Sequence, residues 1–199
     1  MLSRLAKKFS LTVIGGSYVE NCNNKLYNTC AVFNPAGELI ARHRKVHLFD
    51  INIPGKQVFK ESDTLSGGDS LNQFVEPVTN VSIGLGICYD VRFAPMSYLY
   101  GRNGAALLVF PGAFNKTTGP LHWEVLMRSR AVDNQLFVAA CAPAFNPALS
   151  YASFGHSMIV DPWGKVLQQV DDGTHIVFEE LDFDKVDDVR KSKIGRAHV

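Results

Sequence analysis

The sequence predicts an α/β protein built as one domain, and three observations support this. The chain has 199 residues, of which 46% are hydrophobic and 20% are charged, so it can bury a sizeable core. Apolar β-rich runs alternate with helical stretches in its middle third, in the order strand–helix–strand–helix–strand. Further β-rich runs precede and follow that part. Together these patterns predict helices layered on a sheet.

The first third predicts a helix and an antiparallel hairpin. Leu2, Leu5 and Phe9 have the spacing of one helix face. β-rich runs follow at "LTVIGGSYV", "YNTCAVF" and "ELIARHR". The "NPAG" between the last two runs favours chain reversal through its Pro and Gly. Residues 45–70 are rich in Gly, Pro, Asp and Ser and show no steady periodicity, which predicts a long functional connection.

The remaining elements continue the alternation. A strand at "VSIGLGI" precedes a helix over 93–103, and a strand at "AALLVFP" precedes a helix over 121–134. The run "LFVAACA" predicts the next strand. The last third predicts three more strands, at "FGHSMIV", "GKVLQQV" and "THIVFEEL", with a turn at "DPWG".

The composition excludes several classes of function. The formal net charge is +1 and no basic stretch stands out, so neither nucleic acid nor an anionic membrane surface is an expected partner. No apolar run approaches the roughly 20 residues of a membrane span, and the basic start lacks the apolar core of a secretory signal. The four cysteines show neither CxxC nor Cys/His spacing, so we expect reduced thiols and no metal site.

Cys88 is the first candidate for chemistry. In "VSIGLGIC" the residues Ser82, Gly84, Gly86 and Cys88 share one strand face. The glycines let another layer approach that face, and the thiol lies at the carboxyl end of the strand, where α/β sheets place their sites. The start of the following helix would favour a thiolate. A buried structural thiol is the alternative, and it is the commoner outcome for a single cysteine.

Lys45 is the second candidate, because it shares a strand face with Leu39, Ala41 and His43. If that face is buried, the ammonium points inward, where it would lower the pKa of a neighbouring thiol and stabilise an oxyanion. The alternative is a side chain that extends to solvent.

The helix predicted over 121–134 has an apolar face that also carries Arg128, with Glu124 one turn away. A guanidinium on such a face predicts a buried ion pair or a subunit interface. His122 stands at the start of this helix, where it either lines a pocket or packs. The apolar residues of the face are Leu121, Val125 and Val132.

With these residues described, the chain resembles the nitrilase (carbon–nitrogen hydrolase) superfamily. "RHRKVHLFD", "LGICYDVRF", "LLVFPGAFN" and "HWEVLMRSRAVDNQLFVAA" are similar to its lysine block, its nucleophile elbow and two following segments, in the same order. The sequence is most similar to the omega-amidase branch, through "YNTCAVFNPAGELIARHRKVHLFDINIPG" and "PGAFNKTTGPLHWE". The resemblance covers residues 2–190 and implies a nitrilase-like α-β-β-α sandwich that forms homodimers. We therefore expect residues 1–193 to be a single, partial carbon–nitrogen hydrolase domain.

The resemblance also assigns roles by matching motifs. It implies that Cys88 is the nucleophile, that Lys45 is the catalytic lysine beside the tetrahedral intermediate, and that Glu61 in "FKES" supports the site. The backbone N–H of Tyr89 would complete the oxyanion hole. This chemistry requires neither an organic cofactor nor a metal.

Two further residues are candidates for substrate binding. An acidic substrate needs a cationic anchor, and Arg92, four residues past Cys88, is one helical turn from the nucleophile. The alternative for Arg92 is a structural ion pair with Asp90 or another acid. His122 is the second candidate.

The sequence departs from the family at two places. The family triad is Glu-Lys-Cys, and its glutamate comes from a strand end upstream of the lysine block, whereas Glu20 and Glu38 fall in other elements. The omega-amidase pattern also continues beyond "DVRK", so we expect a fragment that is truncated at both its N-terminal and its C-terminal end and is inactive alone. Residues 194–199, "IGRAHV", match the translation of ATCGGAAGAGCACACGTC, a common sequencing-adapter string. We expect this tail to be non-native, which resequencing of the transcript tests.

The resemblance predicts an omega-amidase-like hydrolase that releases ammonia from 2-oxo dicarboxylic acid monoamides such as 2-oxoglutaramate and 2-oxosuccinamate. The thiolate attacks the amide carbon, ammonia leaves, and water cleaves the thioester. One alternative is another amidase or carbamoyl-amide hydrolase on the same scaffold. A different alternative is a non-catalytic fragment or pseudoenzyme. The expected partner is a small-molecule amide, and the expected location is the cytoplasm, with a mitochondrial pool also compatible.

Overall fold

The protein packs two facing β-sheets between helices and carries a further two-stranded hairpin. The computed structural model describes residues 1–55 and 57–192, so the predicted tail at 194–199 lies outside the described residues. The helices are α1 (Leu2–Phe9), α2 (Ala94–Arg102), α3 (Gly119–Asn134) and α4 (Asp184–Lys191). The strands are β1 (Val13–Cys22), β2 (Lys25–Phe33), β3 (Leu39–Arg44), β4 (Asp50–Ile53), β5 (Gln57–Lys60), β6 (Asn72–Val75), β7 (Ser82–Leu85), β8 (Leu107–Pro111), β9 (Phe137–Cys141), β10 (Met158–Val160) and β11 (Val166–Gln169).

The strands form one large and two smaller sheets. The large sheet has the order β11-β10-β9-β8-β7-β6, in which β7, β8 and β9 are parallel and the outer strands are antiparallel. The helices α2 and α3 connect the parallel strands, as the predicted alternation requires. β1, β2 and β3 form an antiparallel sheet, in which β2 and β3 are the predicted hairpin. β4 and β5 form a separate hairpin.

Two apolar clusters define the layers. Val32 of the small sheet packs with Leu85, Leu107 and Phe137 of the large sheet, so one core lies between the sheets. A second cluster lies between the large sheet and the α2–α3 pair, and it contains the buried Trp123. α1 packs on the outer face of β1 and β2. The order is therefore helix, sheet, sheet, helices, which confirms the predicted α-β-β-α sandwich.

Three parts of the structure differ from the prediction. The connection over 45–70 contains the β4–β5 hairpin, whose four-residue strands are too short to show periodicity. Residues 174–181 form no strand, and Ile176 and Phe178 are exposed there. A segment of high β propensity does not form a strand unless a neighbouring strand pairs with it. The strand β6 and the helix α4 were missing from the prediction.

The helix α3 packs through a different face from the predicted one. Trp123 and Met127 are buried, whereas Leu121 and Val125 are 68% and 55% exposed. Arg128 and Glu124 pair at 3.2 Å with both side chains about half exposed, so the predicted buried ion pair is wrong. α3 has apolar residues on two faces, and the face with the larger Trp123 occupies the core.

Across the described part of the chain, no helix combines the length and the apolar character that crossing a bilayer requires.

Candidate active site

A cavity of about 470 Å³ opens at the carboxyl ends of the parallel strands, beside the β4–β5 hairpin. The structure brings five of the six predicted site residues together in its walls, namely Lys45, Glu61, Cys88, Tyr89 and Arg92. His122 is not one of the lining residues. Aromatic and small residues supply most of the remaining wall, among them Phe49, Phe59, Phe114, Gly112 and Tyr151.

Cys88 sits on a sharp elbow between β7 and α2. Its φ is 48°, in the left-handed region that a non-glycine residue rarely adopts, and a 3-10 turn over Cys88–Arg92 follows at once. Gly112 makes room for this elbow, since a Cβ there would lie 2.8 Å from the Cα of Cys88. A strained backbone held by close packing is a common feature of functional sites.

The thiol of Cys88 is partly buried, and its Sγ donates to the carbonyl oxygen of Ala113 at 3.6 Å. Burial raises the pKa of this thiol, and the opposing effect of the Lys45 ammonium does not overcome it. The expectation that the helix start would favour a thiolate is therefore wrong for the resting site. The element that begins at Cys88 is a five-residue 3-10 turn, which has too few aligned peptides for a strong helix dipole.

Lys45 points inward, as predicted, and is 3% exposed. Its Nζ lies 2.5 Å from Oε2 of Glu61, which also accepts from the backbone N–H of Phe49 at 2.7 Å. The prediction that the whole strand face is buried is only partly right, because Leu39 is 53% exposed while His43 is fully buried. The ammonium is thus held at the cavity wall by a carboxylate from a different element.

Arg92 has no ion-pair partner among the described residues, so the predicted alternative of a pair with Asp90 is wrong. Its guanidinium donates to Nδ1 of His122 at 3.2 and 3.3 Å and lies 4.9 Å from the ring centre of Phe114. Asp90 instead accepts hydrogen bonds from His43 and His47. His122 therefore contacts the guanidinium of Arg92, and of these two residues only Arg92 lines the cavity.

Sequence reasoning missed Tyr151 as a wall residue. It lies in the irregular segment between β9 and β10, and its hydroxyl donates to the carbonyl oxygen of Ala113 at 2.7 Å. Burial raises the pKa of Tyr151 to about 12, so the hydroxyl stays protonated at neutral pH. No local pattern marks such a residue, because its position depends on a loop that pairs with the segment after β8.

The sequence predicts that neither Glu20 nor Glu38 supplies the triad glutamate. Glu20 pairs with Arg42 and Arg44, and Glu38 accepts from Asn34, so both lie outside the cavity wall. Of the described residues that line the cavity, Glu61 is the one with a carboxylate. Within the described ranges, no three His, Cys, Asp or Glu side chains group closely enough to hold a metal ion.

A cysteine on a strained elbow, in the same cavity wall as a buried lysine that pairs with a glutamate, is typical of hydrolases that use a cysteine nucleophile. The chain belongs to the carbon–nitrogen hydrolase family, whose model matches residues 1–191. It is 53% identical over 190 residues to the omega-amidases NIT2 of Bos taurus and Homo sapiens, which covers 96% of this chain and 68% of each relative.

Solved structures agree with this assignment. The chain superposes on Saccharomyces cerevisiae Nit3, a member of branch 10 of the nitrilase superfamily, with a TM-score of 0.87 and 43% identity. That comparison covers 96% of this chain and 67% of Nit3. The C. elegans NitFhit protein gives a TM-score of 0.89 at 36% identity, over 96% of this chain and 47% of NitFhit. The nitrilase-superfamily fold predicted from the motifs is confirmed.

Proposed function

We propose that this chain is the catalytic part of an omega-amidase that releases ammonia from 2-oxo dicarboxylic acid monoamides. The observation that carries the proposal is one cavity that combines Cys88, the Lys45–Glu61 pair and Arg92, whose guanidinium pairs with no carboxylate in the described part of the chain. The relatives named omega-amidase NIT2, at 53% identity, support the same activity.

In the proposed reaction the sulfur of Cys88 attacks the amide carbon. The thiol proton leaves the sulfur, the tetrahedral oxyanion forms beside Lys45 and the backbone N–H of Tyr89, and ammonia departs with that proton. A thioester remains on Cys88. Because burial raises the pKa of the thiol, attack requires that a base remove the proton or that the substrate displace water and bring the carbonyl against Lys45.

The substrate class follows from Arg92, which lines the same cavity as Cys88. Arg92 is a planar cation between aromatic faces, without a carboxylate partner in the described chain, and can hold a carboxylate by two parallel hydrogen bonds. A short chain with an amide at one end and a carboxylate at the other would reach from Cys88 to Arg92. This favours dicarboxylic acid monoamides over neutral amides.

Hydrolysis of the thioester needs a base that activates water. Glu61 is tied to Lys45 and to the N–H of Phe49, so it is a poor candidate for a base that must gain and lose a proton. Residues 1–199 alone are therefore expected to form the thioester and to turn over slowly.

The exposed apolar face of α3 supports a homodimer, since isolated monomers rarely leave several such side chains together in water. The four free cysteines are compatible with a reducing compartment, and we propose a cytoplasmic location.

The test is to incubate the protein with 2-oxoglutaramate and measure both ammonia and the intact mass. We expect at least one equivalent of ammonia and a mass increase on Cys88 that hydroxylamine removes. The Cys88→Ser variant should give neither. A wild-type protein that gives no ammonia and no adduct, while it folds as judged by circular dichroism, would exclude the amidase function.

A further inference from the structure

The carboxylate of Asp90 lies between the segment that carries Lys45 and the elbow that carries Cys88, and it is fully buried. Its Oδ1 accepts from the backbone N–H and the ring Nδ1 of His47, at 2.9 and 2.8 Å. Its Oδ2 accepts from the backbone N–H of Ile87 and the ring Nε2 of His43, at 2.9 and 3.1 Å. Each oxygen thus accepts two hydrogen bonds, which uses the full capacity of a carboxylate.

The network has a defined donor direction. The amide nitrogen of Asn72 faces Nδ1 of His43 at 3.4 Å, which leaves Nε2 as the nitrogen that donates to Asp90. Burial alone would raise the pKa of Asp90, but the hydrogen bonds from His43, Ile87 and His47 outweigh it and hold the pKa below its ordinary value. Asp90 is therefore an ionised acceptor at neutral pH.

The positions of these partners relate two segments to each other. His43 and His47 stand two residues before and two residues after Lys45. Ile87 and Asp90 enclose Cys88, and the N–H of Asp90 also donates to the carbonyl oxygen of Ile87 at 3.0 Å. The ring of His47 stacks on Phe93, with centroids 3.6 Å apart and the planes 9° from parallel. One carboxylate therefore joins both sides of the lysine segment to both sides of the strained elbow.

We propose that Asp90 is a positioning residue that holds the Lys45 segment in register with the Cys88 elbow, so that the ammonium faces the sulfur. The inference rests on the proposed role of Cys88 as the nucleophile. Asp90 acts through His43, His47 and Ile87, and it is not among the residues that line the cavity.

The charge and the position of Asp90 affect the thiol in opposite directions. The ionisable groups that act on the Cys88 thiol are Lys45, Glu61, Asp90, Arg92 and Tyr151. The negative charge of Asp90 raises the pKa of the thiol, whereas Lys45 lowers it. Removal of the charge alone would make the thiol more acidic. Loss of the register would withdraw Lys45 and make the thiol less acidic.

The experiment measures the pH dependence of Cys88 alkylation by limiting iodoacetamide, followed on the peptide that contains Cys88. A Cys141→Ser background removes the other thiol that lines the cavity. We expect Asp90→Asn to raise the apparent thiol pKa by about one unit, and to slow alkylation below that pKa about tenfold. An unchanged or lowered pKa overturns the proposal. Asp171→Asn, which alters an exposed Asp–His pair with His175, is the matched control and should change nothing.

A second pair of variants decides the case in which Asp90→Asn does not fold. His47→Phe keeps an aromatic ring over Phe93 but has no ring donor for Asp90, whereas His47→Asn keeps an amide donor close to the position of Nδ1. We expect His47→Phe to raise the thiol pKa as Asp90→Asn does, and His47→Asn to stay within about threefold of the parent rate. Equal alkylation rates for the two variants contradict the proposal.

The readout separates this inference from the proposed function. Alkylation of Cys88 does not require an amide substrate, so a protein without amidase activity can still confirm or overturn the role of Asp90. An active enzyme whose Asp90→Asn variant keeps the parent thiol pKa would retain the proposed function and lose only this inference.

Discussion

The thiol of Cys88 and the hydroxyl of Tyr151 donate to the same acceptor, the carbonyl oxygen of Ala113, at 3.6 and 2.7 Å. The stronger of the two bonds comes from a loop that has no regular structure, and it fixes the orientation of a carbonyl dipole beside the sulfur of Cys88. When the sulfur becomes negative, this carbonyl oxygen repels it, and the hydrogen bond from Tyr151 reduces that repulsion.

We expect Tyr151→Phe to lower kcat/KM about tenfold, with a loss of about 1 kcal/mol of unfolding free energy from the neutral hydrogen bond. Amide hydrolysis and urea denaturation measure the two effects. Tyr18→Phe, which removes a hydroxyl from an exposed strand residue, is the control. Kinetics that match the parent would show that Tyr151 contributes to stability only.

Lys45→Ala should slow the release of ammonia in the first turnover by at least about 100-fold, because one lost oxyanion donor in a dry site costs roughly 3–4 kcal/mol. The variant also leaves the partly buried carboxylate of Glu61 without its cation, so stability should fall. The double variant Lys45→Met and Glu61→Gln separates the two effects, since it removes both charges. We expect it to recover the melting temperature and to remain inactive. Recovery of activity together with stability would rule out a catalytic role for Lys45.

The motif segments predicted the site better than they predicted the surrounding fold. Lys45, Glu61, Cys88, Tyr89 and Arg92 converge because each stands in, or next to, a segment whose local pattern sets its orientation. For His122 the sequence left two alternatives, lining the pocket or packing, and the helix that carries it turns the imidazole toward Arg92. The predicted thiolate was wrong because burial raises the pKa of the thiol. That burial depends on the whole cavity and not on the residues next to Cys88.

Other features could not be derived from local pattern. The hairpin β4–β5, the position of Tyr151 and the choice of the buried face of α3 depend on contacts between distant segments. The sequence "CYD" nevertheless contains Asp90, and "HRKVH" contains both histidines. The two histidines stand two residues on either side of Lys45, and Asp90 stands two residues after Cys88. This spacing of two is a sequence pattern that predicts the hydrogen-bond network.

Arg92→Lys should lower kcat/KM for acidic monoamides at least about tenfold and change neutral amides of the same length much less, because lysine lacks the planar fork. The comparison uses 2-oxoglutaramate and pentanamide on the same preparation. His122→Ala should give a smaller effect with the same substrate preference, since it removes an acceptor behind the guanidinium. Equal losses on both substrates, with a lowered melting temperature, would assign Arg92 a structural role.

The exposed face of α3 predicts self-association. Val125→Asp places a charge among Leu121 and Val132, and should convert a dimer to a monomer in sedimentation velocity at micromolar concentration. Val78→Asp adds the same charge at an exposed turn and should leave the mass unchanged. A parent protein that sediments as a monomer contradicts the dimer, and a dimeric Val125→Asp variant places its interface elsewhere.

Glu20 should make the unfolding free energy of the protein depend on pH in the acidic range. Hydrogen bonds from Arg44, together with Thr29 and the charge of Arg42, lower its pKa from 4.5 to about 2 in the folded state. The folded state therefore favours the ionised carboxylate of Glu20, so this stabilisation is complete above about pH 4.5 and is lost as the pH falls toward 2.

Glu20→Gln should lower the unfolding free energy at pH 7 by about 1 kcal/mol, a value reduced for screening by solvent. The difference between variant and parent should shrink below pH 4.5 and vanish near pH 2, as followed by urea denaturation. Glu38→Gln, in the turn before β3, is the control. A difference at Glu20 that stays constant over this pH range would show that the carboxylate acts by packing and not by charge.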